Sequence, residues 1–466
     1  MKLSRPPGCS RLSAVGVSKH LPSILIESAR IPQDDELTTA SILLEDGIIK
    51  RISKFPPSKT ADLRIDARGL IAMPGMIDAH VHLRDLELSY KETFESGTQA
   101  AAVGGFTTVV DMPNTRPPTI SAMNLTEKIS QAEGKLFSNV ALQGALVKDS
   151  SEIKRMSEVG AVAFKLYLNK ALETFNSEDE NELSASLRAA KENDVLVSIH
   201  AEDAAIIEKT KQKCLAEEKT SIRDFLRAHR PEAEVAAVRR ILDLSMRMYL
   251  RVHICHISIP SAVKLVKNTT NATCEATAHH LLLNDSVFRK HGTLAICVPP
   301  IRSECHRLGL WQRFSSGQID ILASDHAPHT LEDKDSDNAW KVSPGLPGLE
   351  TSLPMMFTQV SRGKLRLQRL IEATATLPAK IFGFSRKGLL LEGFDADIVL
   401  VDPKAKTRIE PEKFLSKAKY SPFKGMQCIG KPAYTIVNGT LIAERSAIVG
   451  PPVGKVAKSD KVCTSS

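Results

Sequence analysis

The chain has 466 residues, 42% of them hydrophobic and 25% charged, and carries a formal net charge of +8 at pH 7. That length exceeds what one core usually holds, so a large domain plus a smaller one is expected, with the composition of an ordinary globular protein. Lysines and arginines are dispersed among acids without a long like-charge run, and no apolar run reaches bilayer length, which argues against nucleic-acid and membrane partners. The 8 cysteines lie scattered between Cys9 and Cys463 without a CxxC pair, so thiols and a cytoplasmic location are expected rather than a disulfide framework.

Residues 1–22 carry Lys2, Arg5, Arg11 and Lys19 without an acid and lack a continuous apolar core, which argues against a secretory signal, and they are read as a disordered tail in preference to an organelle transit peptide. Strand-like pieces follow at 23–31, 40–54 and 63–72, with a turn at Asp46-Gly47. A similar texture returns at 393–403 and 434–450, where Asn438-Gly439 is a strong hairpin signal. Segments 23–73 and 388–450 are therefore expected to pair into one small β subdomain built from both termini, and 451–466 to form a second disordered tail.

Between them, residues 74–387 alternate apolar strand candidates with amphipathic helical stretches. The strands are expected at 76–83, 106–112, 139–147, 161–168, 195–200, 251–257, 272–279 and 319–326, with helices over 90–105, 181–194, 231–248 and 260–268. Eight such units predict an α/β fold of the (β/α)8 TIM-barrel type, a doubly wound open sheet being the alternative.

The reactive residues fall where a barrel would gather them. His80 and His82 end the first strand at spacing i, i+2, which puts both rings on one face, and Arg84 continues the alternation. Asn114 follows the second strand, Lys165 lies late in the fourth, His200 ends the fifth, His256 the sixth and Asp325 the eighth. C-terminal strand ends of one barrel share a single mouth. Four histidines and an aspartate suit Zn2+ or a similar divalent ion, and two ions only if a group bridges them. A lysine beside metals is costly unless it is carboxylated, since a carbamate on Lys165 would be an anion with two oxygens able to bridge a metal pair.

These motifs carry a family resemblance. MPGMIDAHVHLRD, MPNTRPP at 112–118, FKLYLN at 164–169, HICH at 253–256, SDHAPHTLED at 324–333 and PGLPGLE at 344–350 resemble the signatures of the dihydroorotases, in the lysine-carbamate branch of the cyclic amidohydrolases. The resemblance implies that His80, His82 and Asp325 bind one metal, His200 and His256 the other, and carboxylated Lys165 joins them. It also implies that Arg84, Asn114 and His329 grip the substrate carboxylate, and that Asp325 transfers the proton. The implied reaction is the reversible cyclisation of N-carbamoyl-L-aspartate to L-dihydroorotate, a step of de novo pyrimidine biosynthesis.

Hydantoinases (dihydropyrimidinases) and allantoinases share the metal residues and are the enzymatic alternatives. A catalytically silent scaffold for aspartate carbamoyltransferase is the other. A homo-oligomer acting on a small molecule, open to association with that transferase, is the expected assembly. One position departs from the family: where a polar residue commonly precedes PPIR, this chain has Val298. Residues 170–180 are read as a lid or a plain loop. Cys255 and Glu275 are read as an accessory metal site or, preferentially, a packing thiol and a supporting carboxylate; His279 and His280 are expected to hydrogen-bond rather than ligate. His326 is expected to turn away from the site, and His20, His229, His291 and His306 to lie on the surface.

Overall fold

The computed structural model describes residues 22–33, 36–169, 172 and 174–460. Residues 1–21 and 461–466, and with them Cys9, His20, Cys463 and most of the expected tails, lie outside the described residues.

Eight parallel strands form the barrel in strict chain order: Met76–Val81, Phe106–Asp111, Asn139–Ala145, Ala161–Tyr167, Val197–His200, Val252–Ile254, Ala272–Thr277 and Ile321–Ala323. Sequential order without a reversal excludes the doubly wound alternative. The ring closes between the eighth strand and the first. The His82 N–H donates to the His326 carbonyl at 2.8 Å, Val81 bridges His326 in parallel, and the Asp78 carboxylate accepts from Ser324 N–H. Ile77, Ala79, Val110, Ala141, Ala163, Ile321 and Ala323 pack in one cluster with Phe382 of the helix Leu377–Phe382. Small and branched side chains suit a closed barrel whose interior is a packed core.

The helices between strands begin where the sequence supplies caps. Thr93 closes a capping box ahead of Phe94–Val103, and Asp149, Asp179 and Asp203 accept first-turn N–H groups ahead of Ser150–Val159, Glu180–Glu192 and Ala204–Ala216. Pro231 and Pro260 open Pro231–Met248 and Pro260–Lys267 from the first position, where no N–H is needed.

A second sheet draws on both ends of the chain. The strand Ile71–Pro74, leading into the barrel, pairs antiparallel with Ile398–Arg408, leaving it, so that Pro74 faces Ile398. Outward from this seam lie Ile24–Gln33, Glu36–Glu45 and Ile48–Ser53 on one side, and Gln427–Val437, Thr440–Glu444 and Ala447–Ile448 on the other; Leu63–Asp66 pairs with Ile24–Gln33. Asp46-Gly47 and Asn438-Gly439 turn their hairpins with φ of 52°, 79°, 49° and 78°, the left-handed pair that a two-residue hairpin requires.

The structure corrects the expected C-terminal tail. Over 451–460 the chain runs beside the third barrel strand: Val140 N–H donates to the Lys455 carbonyl and Ala457 N–H to the Val140 carbonyl, both at 2.9 Å. Val140 offered a free backbone edge, and ladder hydrogen bonds order a short segment that has little apolar pattern of its own. Of the expected lid, residues 170, 171 and 173 lie outside the described residues, and its end opens the helix Glu180–Glu192. No helix of the described residues is long and apolar enough to cross a membrane.

Candidate metal centre and anion corner

The strand ends converge at one mouth. The Asp325 Oδ1 lies 3.4 Å from His80 Nε2 and 3.2 Å from His82 Nε2, on the far side of the barrel seam. Each ring has its other nitrogen committed: His80 Nδ1 to Glu275 Oε1 at 2.5 Å, and His82 Nδ1 to Asn114 Oδ1 at 2.7 Å. Both partners accept, so in the neutral rings the proton belongs on Nδ1 and both Nε2 lone pairs face the Asp325 carboxylate. Three lone-pair donors turned toward one another leave a place for a cation.

A second donor pair sits beside the first. His200 Nε2 is 2.9 Å from Glu202 Oε2, so its Nδ1 lone pair faces His256 Nε2 at 3.0 Å. The Nδ1 of His256 is buried and has no hydrogen-bond partner. The His80 and His256 ring centroids are 5.1 Å apart, which joins the two sets. Lys165 comes from the fourth strand, fully buried, with Nζ 2.9 Å from Cys255 Sγ. Cys255 Sγ in turn lies within 4.8 Å of ligand atoms of His80 and Glu275. These donors fit divalent metal ions: nitrogen and carboxylate ligands, one orphaned ring nitrogen, and an excess of buried acid. His80, His82 and Asp325 form one group able to hold an ion.

The electrostatics express the same demand. Burial and the Lys165 amine oppose protonation of His80, yet Glu275 and Asp325 raise it to about 10. Against burial, His80 and His82 hold the Asp325 carboxyl well below its ordinary range; His80 and His253 do the same for Glu275. The carboxylates require a positive charge here, which a metal ion can supply in place of a proton.

Sequence reasoning missed part of the support. Glu275 spans three groups: His80, His253 Nε2 at 3.1 Å, and the His256 N–H at 3.2 Å. His229, expected on the surface, is buried, and its Nδ1 meets Glu202 Oε1 at 3.1 Å, extending the His200–Glu202 pair by one more ring. Nothing near His229 in the chain marks it, because its partner stands 27 positions away. His280 bonds Thr277 Oγ1 and the Pro299 carbonyl; His326 meets Glu92 and accepts from the Gly348 N–H, away from the donor set.

Next to the donors lies a cationic corner. Arg84, Asp85 and Leu86 all take left-handed backbone angles, φ 59°, 44° and 51°, a strained turn held by the Asp85 carboxylate accepting from the N–H groups of Leu86 and Phe94. The turn buries the Arg84 guanidinium, 8% exposed, beside His329. Lys91 Nζ donates to His329 Nδ1 at 3.0 Å, which puts that ring's proton on Nε2, where it donates to the Pro344 carbonyl at 3.1 Å. Arg84 Nη2, 3.3 Å from that Nε2, therefore meets a donor, and Arg84 Nε has no partner at all. Burial, Arg84, Lys91 and Lys334 together hold His329 neutral, far below its ordinary range.

Asn114 orients His82 through its oxygen, a use the expected carboxylate grip did not include. Tyr420, from the outer part of the chain, reaches over to donate to the Gly345 carbonyl at 2.9 Å. Val298 packs against the apolar cluster of Phe225, Ile296, Ala339 and Val342, so no polar contact is made from that position.

Comparison with known proteins agrees with this architecture. The model of the amidohydrolase family matches residues 71–442. A dihydroorotase of Methanosphaera stadtmanae is 35% identical over 417 residues, 87% of this chain and 93% of that one. An L-hydantoinase of Paenarthrobacter aurescens is 34% identical over 437 residues, 91% and 95% of the two chains. Among solved structures, L-hydantoinase (dihydropyrimidinase) from Arthrobacter aurescens superposes with a TM-score of 0.90 at 33% identity, covering 94% of this chain and 99% of that one. With a histidine–carboxylate donor set at the mouth of a (β/α)8 barrel and a family match across most of its length, the chain belongs to the amidohydrolase family and is a metal-dependent cyclic amide hydrolase.

Proposed function

We propose that the protein is a dihydroorotase, interconverting N-carbamoyl-L-aspartate and L-dihydroorotate. The observation that carries this reading is Arg84: a buried guanidinium beside the metal donors whose Nε and Nη2 have no acceptor among the described residues. A buried charge is stable only when paired, and a planar fork of donors matches a carboxylate. Dihydroorotate carries a carboxylate on its ring, whereas dihydropyrimidines and hydantoins need none.

In this reading His80, His82 and Asp325 would hold one divalent ion and His200 and His256 the other, and Zn2+ suits the donor types. Lys165, on taking up CO2 with loss of one amine proton, would add an anionic carbamate to that donor set. Metal ions in such a set make a bound water acidic near neutral pH and polarise a carbonyl. Asp325, kept ionised by His80 and His82, accepts the attacking water's proton and delivers it to the departing ring nitrogen; closure reverses both transfers. Arg84 grips the substrate carboxylate in the corner that His329 and Lys91 line, so that its ring amide meets Asp325. A homo-oligomer in the cytoplasm, associating with aspartate carbamoyltransferase, completes the reading.

The second reading, a hydantoinase or dihydropyrimidinase, is favoured by the 34% identity to an L-hydantoinase over most of both chains. Turnover of dihydroorotate, dihydrouracil, hydantoin and allantoin by the metal-loaded protein separates the two. Dihydroorotate should have the highest kcat/KM, by at least tenfold. A neutral ring turned over faster than dihydroorotate would overturn the dihydroorotase reading.

A further inference from the structure

The seventh barrel strand, Ala272–Thr277, runs directly into the short helix Ala278–Leu282, which Thr277 caps by accepting the His280 N–H. Adjacent residues on a helix ordinarily diverge, yet the His279 and His280 rings converge, with centroids 4.4 Å apart. Cys297 reaches them from the loop leading to Pro299. One ring nitrogen of each histidine and the Cys297 Sγ all lie within 4.8 Å of one another, on three buried side chains. The Pro299 carbonyl oxygen adds a fourth donor, 3.0 Å from His280 Nε2 and 3.3 Å from Cys297 Sγ. Neighbouring ligands of a tetrahedral Zn2+ stand about 3.3 to 3.6 Å apart, given Zn–N of about 2.0 Å and Zn–S of about 2.3 Å. His279 is the member that packing leaves unexplained. Its Nε2 is buried without a hydrogen-bond partner, and no hydrogen bond among the described residues engages its Nδ1, so either nitrogen can turn a lone pair to the thiol. His280 is oriented for the same purpose: with its proton on Nδ1, donated to Thr277 Oγ1 at 2.8 Å, the Nε2 lone pair faces the Pro299 and Cys297 side.

We propose that His279, His280, Cys297 and the Pro299 carbonyl oxygen form a Zn2+ site separate from the catalytic donors, tying the end of the seventh strand to the loop that carries Cys297. Binding releases one proton: the Cys297 thiol gives it up to solvent, and the thiolate and two neutral imidazoles take the cation. Four protein donors leave no open position, so the ion is structural, and thiolate with imidazole favours Zn2+ over the oxygen-seeking Mg2+ and Ca2+. The set shares no residue with the donors of the catalytic pair, so it stands whichever cyclic amide the enzyme opens.

The test replaces the metal of the full-length protein with Co2+, whose bond to a thiolate gives an intense charge-transfer band that nitrogen and oxygen ligands do not. Wild type should show the band and hold one more Co2+ per chain than Cys297→Ser, which should lose the band. Cys255→Ser, altering the thiol beside Lys165, should keep it. His279→Gln retains the Cys297 thiol and should bind this ion about 100-fold more weakly, as for the loss of one of four ligands. No thiolate band in wild type, a band of full strength in Cys297→Ser, or its loss in Cys255→Ser overturns the proposal. Should Cys297→Ser fail to fold, wild-type crystals soaked in Zn2+ decide the matter. An anomalous-scattering peak among the His279, His280 and Cys297 side chains supports the site, and no peak there at full catalytic occupancy leaves two histidines and a thiol packed without an ion, which overturns it.

Discussion

Asn114 Oδ1 accepts from His82 Nδ1 at 2.7 Å, and this bond aims the opposite ring nitrogen at Asp325. An amide after the second strand thus sets the tautomer of a donor on the first. Asn114→Ala should free the ring and weaken metal binding by about 10- to 100-fold, the usual effect of losing such a support. Competition with a chelator of known affinity measures it. Unchanged metal affinity together with a raised KM would return Asn114 to a purely substrate-gripping role.

Glu202 joins His200 to the buried His229, with oxygens 2.9 and 3.1 Å from the two rings. Glu202→Gln keeps the shape but can accept through only one atom, so one ring loses its orientation and the pair loses its anion. Metal affinity should fall by about tenfold or more. Because both rings stay packed, thermal stability should change much less than occupancy, and a large drop in Tm at unchanged metal affinity would contradict that division.

Asp325 has a left-handed backbone, φ 47°, and a carboxylate set between two imidazoles. Asp325→Ala should retain metal on the remaining histidines while turnover falls by a factor of about 10² to 10⁴, as when a general acid–base is removed. Near-normal kcat would take the proton-transfer role away from this residue.

Lys165 is buried with its amine against Cys255 Sγ at 2.9 Å. Lys165→Ala removes the amine that CO2 would cap, and two tightly held ions should drop to one or none in elemental analysis. Added short-chain carboxylic acids, placed in the vacated volume, should restore part of the activity. Two ions retained at wild-type affinity would dismiss the carbamate.

Glu350 accepts from the N–H groups of Leu415 and Ser416, and burial raises its carboxyl to about 7. Between its unfolded value of 4.5 and 7 the folded protein holds the extra proton, so stability is greatest below that window and declines as pH rises through it. Glu350→Gln should remove this part of the pH dependence and raise stability at pH 8 by about 1–3 kcal/mol. Denaturant unfolding at pH 5, 6, 7 and 8 provides the comparison; parallel curves for the two proteins would remove Glu350 as the cause.

What the chain alone determined was periodic and local. Alternating apolar runs and capped helices specify eight strand–helix units, and a barrel puts the end of every strand at one mouth, so His80, His82, Lys165, His200, His256 and Asp325 could be read as neighbours before any coordinates. What only the tertiary structure decided was which nitrogen faces which oxygen. Glu275 under His80, His229 behind Glu202, Asn114 turned to His82 and Cys297 brought to His279 depend on contacts between residues far apart in sequence. So does the docking of 451–460 on the third strand, which has little pattern of its own and forms where a barrel edge leaves backbone groups to be paired. Patterning records which way a side chain faces relative to its own strand or helix; hydrogen bonds between distant segments arise only once the ring has closed.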